Sequence, residues 1–212
     1  GAFTATDLEE GDSHTFTVEM TAESTITDQG STPNVIATVD GTAVTTGEQK
    51  AIGNYLVTTA EGTLTITKDK SALAIESATN GWTYDGATHT DETYTVTYGG
   101  ETVAAQEGSE GKVFVLPNDD VLTITATAAG VKDVADTAAN NNTYTYTVKR
   151  GEADTSGNYE TITATFGTLT INPKAVTITA ATNSWPYDGD AHSDGAFTAT
   201  DLEEGDSHTF TV

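Results

Sequence analysis

The stretch GNYETITATFGTLTINPK at residues 157–174 alternates threonine with apolar residues, and this alternation decides the fold class. A similar stretch, GNYLVTTAEGTLTITKDK, occupies residues 53–70. In a strand, Leu64 and Ile66 would lie on one face and the intervening threonines on the other. This period of two is typical of a half-buried antiparallel strand, and threonine suits its solvent side because β-branched residues favour extended backbone.

The same alternation recurs along the whole chain, in TITAT at 123–127, TYTYTV at 143–148 and AVTITA at 175–180. No stretch of 12 or more residues keeps a helical period of 3.6. The segment VKDVADTAANN at 131–141 predicts at most a short helical turn. The sequence therefore predicts an all-β protein.

Two levels of repetition organise the chain. Eighteen residues, GAFTATDLEEGDSHTFTV, occur both at 1–18 and at 195–212, a spacing of 194 residues. A weaker repeat aligns SATNGWTYDGATHTDETYTVT at 77–97 with AATNSWPYDGDAHSDGAFTAT at 180–200. Identity at a fixed spacing indicates an array of structural units rather than one compact domain.

These repeats divide the chain into modules. Each module opens with ATNxWxYDGxxH and closes with GNY, a strand and GTLTI. Residues 70–173 then form one complete module, residues 1–69 the C-terminal part of a second kind of module, and residues 174–212 the N-terminal part of the next one. We expect a pair of unlike modules with period 194, and this chain to be a window on a longer array of such pairs.

The motifs WTYDG and WPYDG, with GNY and GTLTI at the close of each module, resemble the YDG or MBG type of immunoglobulin-like repeat of bacterial cell-surface adhesins. Lys70 and Lys174 stand at the junctions, where modules of that family usually open on a basic residue. The resemblance covers the whole chain. It implies tandem immunoglobulin-like antiparallel β-sandwich modules, joined end to end on an extracellular bacterial surface protein or secreted fibre, and no catalytic residues.

Structural roles are predicted for the residues that recur once per module. The Asp-Gly pairs indicate tight turns, since Asp can bond its own backbone and Gly can adopt positive φ. An aromatic residue beside each strand is expected to fill a sandwich core rather than serve as an exposed binding platform. The predicted structural residues are Trp82, Trp185, Tyr84, Tyr187, Asp85, Gly86, Asp188, Gly189, Tyr55 and Tyr159.

Charge and composition restrict the function. The chain has 32 acidic residues against 8 lysines and arginines, a formal net charge of −24, which opposes binding to nucleic acid or anionic lipid. It has no cysteine and no apolar run long enough to span a membrane. His89 and His192 lack zinc-ligand spacing, and no nucleophile motif such as GxSxG is present, so we expect no enzyme and no cofactor.

Calcium is the remaining metal to consider, because several carboxylates lie in predicted loops. The candidates are Asp188, Asp190, Asp194, Asp119 and Asp120, with Glu9, Glu10, Asp12 and their copies Glu203, Glu204 and Asp206. None of them forms the DxDxDG pattern, and a solvated acidic loop is the alternative. Lys–Asn or Thr–Gln crosslinks, which some surface stalks carry, have no accompanying signature here.

Three functions follow from this organisation. Short junctions such as Asn172–Lys174, without a Gly or Ser tract, favour a stiff structural stalk or fibre whose partners are neighbouring repeats. An adhesive module for glycan or mucin would need exposed aromatic residues, with Tyr94, Tyr98, Tyr144 and Tyr146 as candidates. A filament subunit would complete its partial modules head to tail by strand complementation, although the duplicated eighteen residues complicate that arrangement.

Overall fold

The computed structural model describes residues 5–11 and 14–206. Its chain divides into two compact units, of which the first ends at Asp69 and the second begins at Lys70. The predicted junction between modules lies at the same position. In the described residues, regular structure consists of short strands in several small sheets and two 3-10 turns, so the predicted all-β class is confirmed.

The first unit contains seven strands in three small sheets, of order β1-β3-β4, β2-β7 and β5-β6. Its strands are β1 (Val18–Met20), β2 (Gly30–Asn34), β3 (Ile36–Val39), β4 (Thr42–Ala43), β5 (Gln49–Ile52), β6 (Tyr55–Thr58) and β7 (Gly62–Ile66). Every pairing among these strands is antiparallel. Val39 and Ile52 are the buried apolar residues described in this unit, and they do not form a larger core cluster.

The second unit contains twelve strands: β8 (Leu73–Ser77), β9 (Asn80–Thr83), β10 (Tyr94–Tyr98), β11 (Glu101–Val103), β12 (Val113–Val115), β13 (Val121–Ala126), β14 (Tyr144–Arg150), β15 (Ala153–Asp154), β16 (Ile162–Thr165), β17 (Leu169–Asn172), β18 (Thr177–Ala180) and β19 (Phe197–Thr200). Two 3-10 turns, Val134–Asp136 and Ser156–Asn158, interrupt the loops. The first of them lies within 131–141, where the sequence predicts a short helical turn.

Two four-stranded sheets of the second unit share one core. Their strand orders are β11-β10-β8-β16 and β12-β13-β14-β15. Alternate residues of β8, β10, β13 and β14 point inward, as the period-two pattern predicts, and most of them are almost fully buried. The Tyr94 and Tyr144 rings pack edge to face at 5.4 Å in this core.

Parallel pairing between the first and last strands closes the 70–173 segment. β8 pairs in parallel with β16, and β9 pairs in parallel with β17. Where the two pairs meet, Gly167 approaches the backbone so closely that an added Cβ would lie 2.1 Å from the Ala78 carbonyl oxygen. Glycine is the residue that allows this approach.

Buried side chains reinforce the closure. Ser77 Oγ donates to the Asn142 carbonyl oxygen at 2.6 Å and accepts from the Gly167 amide at 2.9 Å. The Asn142 side chain donates to the carbonyl oxygens of Ala78 and Asp91. These bonds join segments that are far apart in sequence, and they satisfy backbone groups that burial removes from water.

A second polar group holds the loop that follows β12. Asp120 is 2% exposed, and its carboxylate accepts from Tyr159 Oη at 2.7 Å and from Arg150 Nε at 2.9 Å. Asn118 Nδ2 donates to Tyr159 Oη at 2.9 Å. Burial, followed by contact with the Asp120 carboxylate, raises the pKa of Tyr159, so the phenol stays protonated and acts as a donor. Tyr159 is therefore a core residue, as predicted.

Residues 175–206, which we call the terminal hairpin, follow the Asn172–Lys174 connection within the second unit. β18 and β19 pair antiparallel. Tyr84 Oη donates to Asp206 Oδ1 at 2.9 Å, and Lys174 Nζ pairs with the Glu203 carboxylate. These two contacts lie beside the Asn172–Lys174 connection and attach the terminal hairpin to the preceding segment.

Substitution of Gly167 tests the closure. We expect Gly167→Ala to lower the free energy of unfolding of the second unit by about 3 kcal/mol, because the new methyl group forces the backbone at Ala78 to move. Urea titration followed by tryptophan fluorescence measures this, since Trp82 and Trp185 both belong to the second unit.

The matched control is Gly157→Ala, in the second unit itself, where nothing lies within 4 Å of an added Cβ, so tryptophan fluorescence reports on both variants. This variant should unfold within about 0.5 kcal/mol of the parent protein. Equal effects of the two substitutions would contradict the proposed role of Gly167.

Candidate functional site

The recurring YDG motif forms a turn fixed by one carboxylate. Asp85 Oδ1 accepts from the Ala87 amide at 2.9 Å and lies 2.9 Å from His89 Nε2, while Gly86 has φ of +74°. The bond to His89, followed by that to the Ala87 amide, lowers the pKa of Asp85. Because an ionised carboxylate only accepts, Nε2 of His89 carries the hydrogen.

This carboxylate orients an aromatic stack. The His89 ring lies on Trp82 with 4.8 Å between ring centroids and 14° between ring planes. The His89 backbone also exchanges two hydrogen bonds with Val131, at 2.8 and 2.9 Å. Trp82 in turn packs against a small cluster formed by Val131, Leu169 and Ile171. Trp82 is thus half-buried against this smaller core cluster, and it lies apart from the main core between the two four-stranded sheets.

A second carboxylate fixes the other end of the same turn. Asp91 accepts from Asn80 Nδ2 and from the Thr93 amide, both at 3.0 Å. The Asn80 side chain closes the arrangement by accepting from the Gly81 amide at 2.8 Å. The whole ATNxWxYDGxxH motif is therefore a self-contained turn that holds its own polar groups.

The terminal hairpin repeats this arrangement bond for bond. Asp188 Oδ1 accepts from the Asp190 amide at 3.0 Å and lies 2.9 Å from His192 Nε2. The His192 ring lies 5.0 Å from Trp185 with 7° between the planes. Asp194 accepts from Asn183 Nδ2 at 3.1 Å and from the Ala196 amide at 2.8 Å. The same motif thus adopts the same geometry twice.

Strand register repeats as well. β8 and β10 pair with Ser77 opposite Tyr94 and Ile75 opposite Val96. β18 and β19 pair with Ala180 opposite Phe197 and Ile178 opposite Ala199, which are the aligned positions of the repeat. Equivalent sequence therefore produces equivalent pairing in both places.

Burial separates the two copies. Ile75 in β8 is 1% exposed, whereas its counterpart Ile178 in β18 is 51% exposed. Trp185 is 43% exposed and Tyr187 is 99% exposed. The prediction that Trp185 fills a core is wrong for this chain: among the described residues of the second unit, no strand pairs with residues 183–186 as β17 pairs with β9.

The other predicted structural residues lie as follows. Tyr55 is half-buried in the first unit and packs edge to face on Phe16 at 5.9 Å. Tyr84 packs against the small cluster that also contacts Trp82, and its hydroxyl donates to Asp206. Gly189, with φ of +83°, repeats the turn conformation of Gly86.

The calcium candidates do not converge. Asp188 and Asp194 are bonded to His192, Asn183 and backbone amides, and Asp120 is buried against Tyr159 and Arg150. Asp119 forms part of a turn with φ of +66°, and Asp190 contributes its amide to the turn at Asp188. Among residues 5–11 and 14–206, no group of three or more His, Cys, Asp or Glu residues is arranged to hold a metal ion. Asp12 lies outside the described residues.

The tyrosines that were candidates for an adhesive surface lie in or against the main core instead. Tyr94 and Tyr144 are core residues, and Tyr98 and Tyr146 are half-buried against the same core. Tyr144 donates its hydroxyl to the Ile75 carbonyl oxygen at 2.7 Å, and burial raises its pKa to about 12. They are not exposed platforms, because the period of two directs alternate side chains of β10 and β14 inward.

Comparison with known proteins assigns this chain to no family. No protein-family model matches the chain, and no match was found among curated proteins or solved structures. In the described part of the chain, no helix is both long and apolar enough to span a bilayer.

Acid should weaken the turn at Asp85. Because the pKa of Asp85 in the folded protein lies below its unfolded value of about 3.9, its contribution to stability is complete above about pH 5. That contribution disappears as the pH falls through the folded pKa. We expect Asp85→Asn to reduce the difference in free energy of unfolding between pH 5 and pH 3, measured by urea titration of tryptophan fluorescence.

Asp119→Asn is the control, since it makes the same change of charge in a turn whose geometry Asn accepts. The free energy of unfolding of Asp119→Asn should change between pH 5 and pH 3 more nearly as that of the parent protein does than the free energy of Asp85→Asn. If Asp85→Asn has the same difference in free energy of unfolding between pH 5 and pH 3 as the parent protein, the role given to this carboxylate is contradicted.

Proposed function

We propose that this protein is a structural segment of a bacterial extracellular stalk or fibre, built from immunoglobulin-like β-sandwich modules joined in line. The observation that carries the proposal is the parallel pairing of the first and last strands of the 70–173 segment, β8 with β16 and β9 with β17. The YDG, GNY and GTLTI motifs and their resemblance to adhesin repeats agree with it.

Parallel closure suits a load applied along the chain. Tension on residues 70 and 173 pulls β8 and β9 towards the N-terminus and β16 and β17 towards the C-terminus. The two strands of each pair are parallel, so these forces act in opposite directions along one axis. The hydrogen bonds between them are then loaded together rather than one after another, which is the arrangement that resists extension.

The connection to the terminal hairpin supports a stiff rod. Asn172, Pro173 and Lys174 form a short link, and proline restricts its backbone. The Tyr84–Asp206 hydrogen bond and the Lys174–Glu203 ion pair lie beside it. The bond to Asp206 raises the pKa of Tyr84, which keeps the donor protonated. These contacts limit bending between successive segments.

A negative charge of −24 fits the same role. Charges of one sign repel along an extended surface and keep neighbouring fibres apart. The threonine-rich outer face of β14 adds hydration.

Single-molecule extension tests this function. With the chain held between reference domains, the 70–173 segment should unfold in one event that releases about 35 nm, since each residue spans about 3.4 Å when extended. Gly167→Ala should lower the unfolding force, and Gly157→Ala, where an added methyl meets open space, should not. Gradual extension of the parent protein without a force peak would contradict a load-bearing role.

The junction can be tested separately. Removing both contacts with Tyr84→Phe and Lys174→Ala should broaden the distribution of angles between the 70–173 segment and the terminal hairpin. Distances between spin labels attached to introduced cysteines at the exposed positions 147 and 190 would report this, because the chain has no cysteine of its own. An unchanged distance distribution would show that the two contacts do not stiffen the link.

A further inference from the structure

Two surfaces of this chain lack the cover that their counterparts have in the 70–173 segment. One is the terminal hairpin, where Ile178, Trp185 and Tyr187 are exposed. The other is one edge of β7 in the first unit. The two surfaces are the two halves of a pairing that β9 and β17 make within one segment.

The edges of β17 can be told apart by their hydrogen bonds. The Thr168 carbonyl oxygen accepts from the Asn80 amide at 3.0 Å, and the Gly167 carbonyl oxygen accepts from the Asn142 amide at 3.1 Å. Successive carbonyl groups of an extended strand point to opposite edges. β9 therefore lies on one edge of β17, and Asn142 lies on the other.

β7 has the second of these neighbours and lacks the first. Asn34 of β2 pairs antiparallel with Gly62, as Asn142 does with Gly167. β2 therefore occupies the edge that corresponds to the Asn142 edge of β17. Within the described part of the first unit, no strand pairs with the opposite edge of β7.

We propose that this free edge of β7 binds the terminal hairpin of a second copy of the same chain. Residues 183–186 of one molecule run parallel to residues 64–67 of the next. The register follows from β9 and β17, where Trp82 lies opposite Ile171 and Asn80 opposite Leu169. Trp185 then lies opposite Ile66, and Asn183 opposite Leu64.

The distribution of charge favours these surfaces as the place of contact. Residues 175–187 and 62–67 contain no charged side chain, although the chain as a whole carries −24. The negatively charged surfaces of two copies repel each other, so the electrostatic cost of contact is lowest at these two uncharged surfaces. Main-chain hydrogen bonds along the added strand would supply affinity, and burial of Trp185 would add to it.

The same pairing seen inside the 70–173 segment would thus continue between molecules. The two surfaces of the contact differ, so a bound molecule still presents one free hairpin and one free edge, and assembly proceeds head to tail. This inference goes beyond the stalk function and does not depend on it, because it rests only on the equivalence of the repeats.

Cysteine pairs test the register directly, because the chain has no cysteine of its own. Thr170 lies opposite Gly81 in β17 and β9, so Thr65 should lie opposite Ser184 between molecules. We expect the double variant Thr65→Cys, Ser184→Cys, treated with a short bifunctional thiol reagent, to form a ladder of dimers and larger species on a denaturing gel. The control variant Thr65→Cys, Asp190→Cys should form at least tenfold less crosslinked product.

Two results of this experiment would overturn the proposal. Crosslinking confined to single molecules would mean that the two segments meet within one chain rather than between copies. Absence of any crosslink in the Thr65, Ser184 pair would mean that they do not meet.

A glycine substitution provides the second test. Ala181 donates to the Ala196 carbonyl oxygen at 2.8 Å, as Ala78 does to Thr93 at 2.9 Å, so Ala181 of the bound copy would approach Gly62 as Ala78 approaches Gly167. Gly62→Ala should therefore weaken association at least tenfold in sedimentation experiments. Its circular dichroism and tryptophan fluorescence should stay those of the parent protein.

Gly157→Ala, which meets open space, is the matched control and should associate normally. Association should also strengthen with added salt, since salt screens the repulsion between copies. A parent protein that remains monomeric at the highest soluble concentration, or a Gly62→Ala variant that associates equally well, would overturn the proposal.

Discussion

Parallel pairing between strands 90 residues apart in sequence is the interaction on which the rest of this structure depends. Pairing of β8 with β16 and of β9 with β17 completes the sheets, and the facing sheet β12-β13-β14-β15 then buries the apolar face of β8. The consequence is visible within one chain, because Ile75 is 1% exposed where this closure is present and Ile178 is 51% exposed where it is absent. Local pattern alone does not bury these residues.

Local sequence does determine the turn and the strand register. The terminal hairpin has the same Asp–His–Trp geometry and the same β-pairing as residues 73–98, without the strands that cover them. Short-range hydrogen bonds from Asp188 and Asp194 are sufficient for this, since both bond to residues close by in sequence. The turn and the strand register therefore do not depend on distant strands.

Sequence reasoning succeeded where the determinant was local. The period of two predicted the strands, and the Asp-Gly pairs predicted the turns with positive φ at Gly86 and Gly189. It failed for Trp185, whose burial depends on distant strands. It also missed the buried Asp120, which bonds to Tyr159 and Arg150. An acidic residue in a loop is normally solvated, and its two partners here lie 30 and 39 residues away in sequence, so no local pattern indicates the contact.

Amide hydrogen exchange in the monomeric protein at low concentration tests the central claim most directly, by comparing β8 with β18. The two strands have equivalent sequence positions and equivalent hairpin partners, so they differ in the long-range contacts that, of the two, only β8 makes with β16 and with the facing four-stranded sheet. We expect amides of Leu73–Ser77 to exchange at least a hundredfold more slowly than those of Thr177–Ala180, since protection follows the free energy of local opening. Equal protection of the two strands would contradict the claim that closure by distant parallel strands stabilises the module.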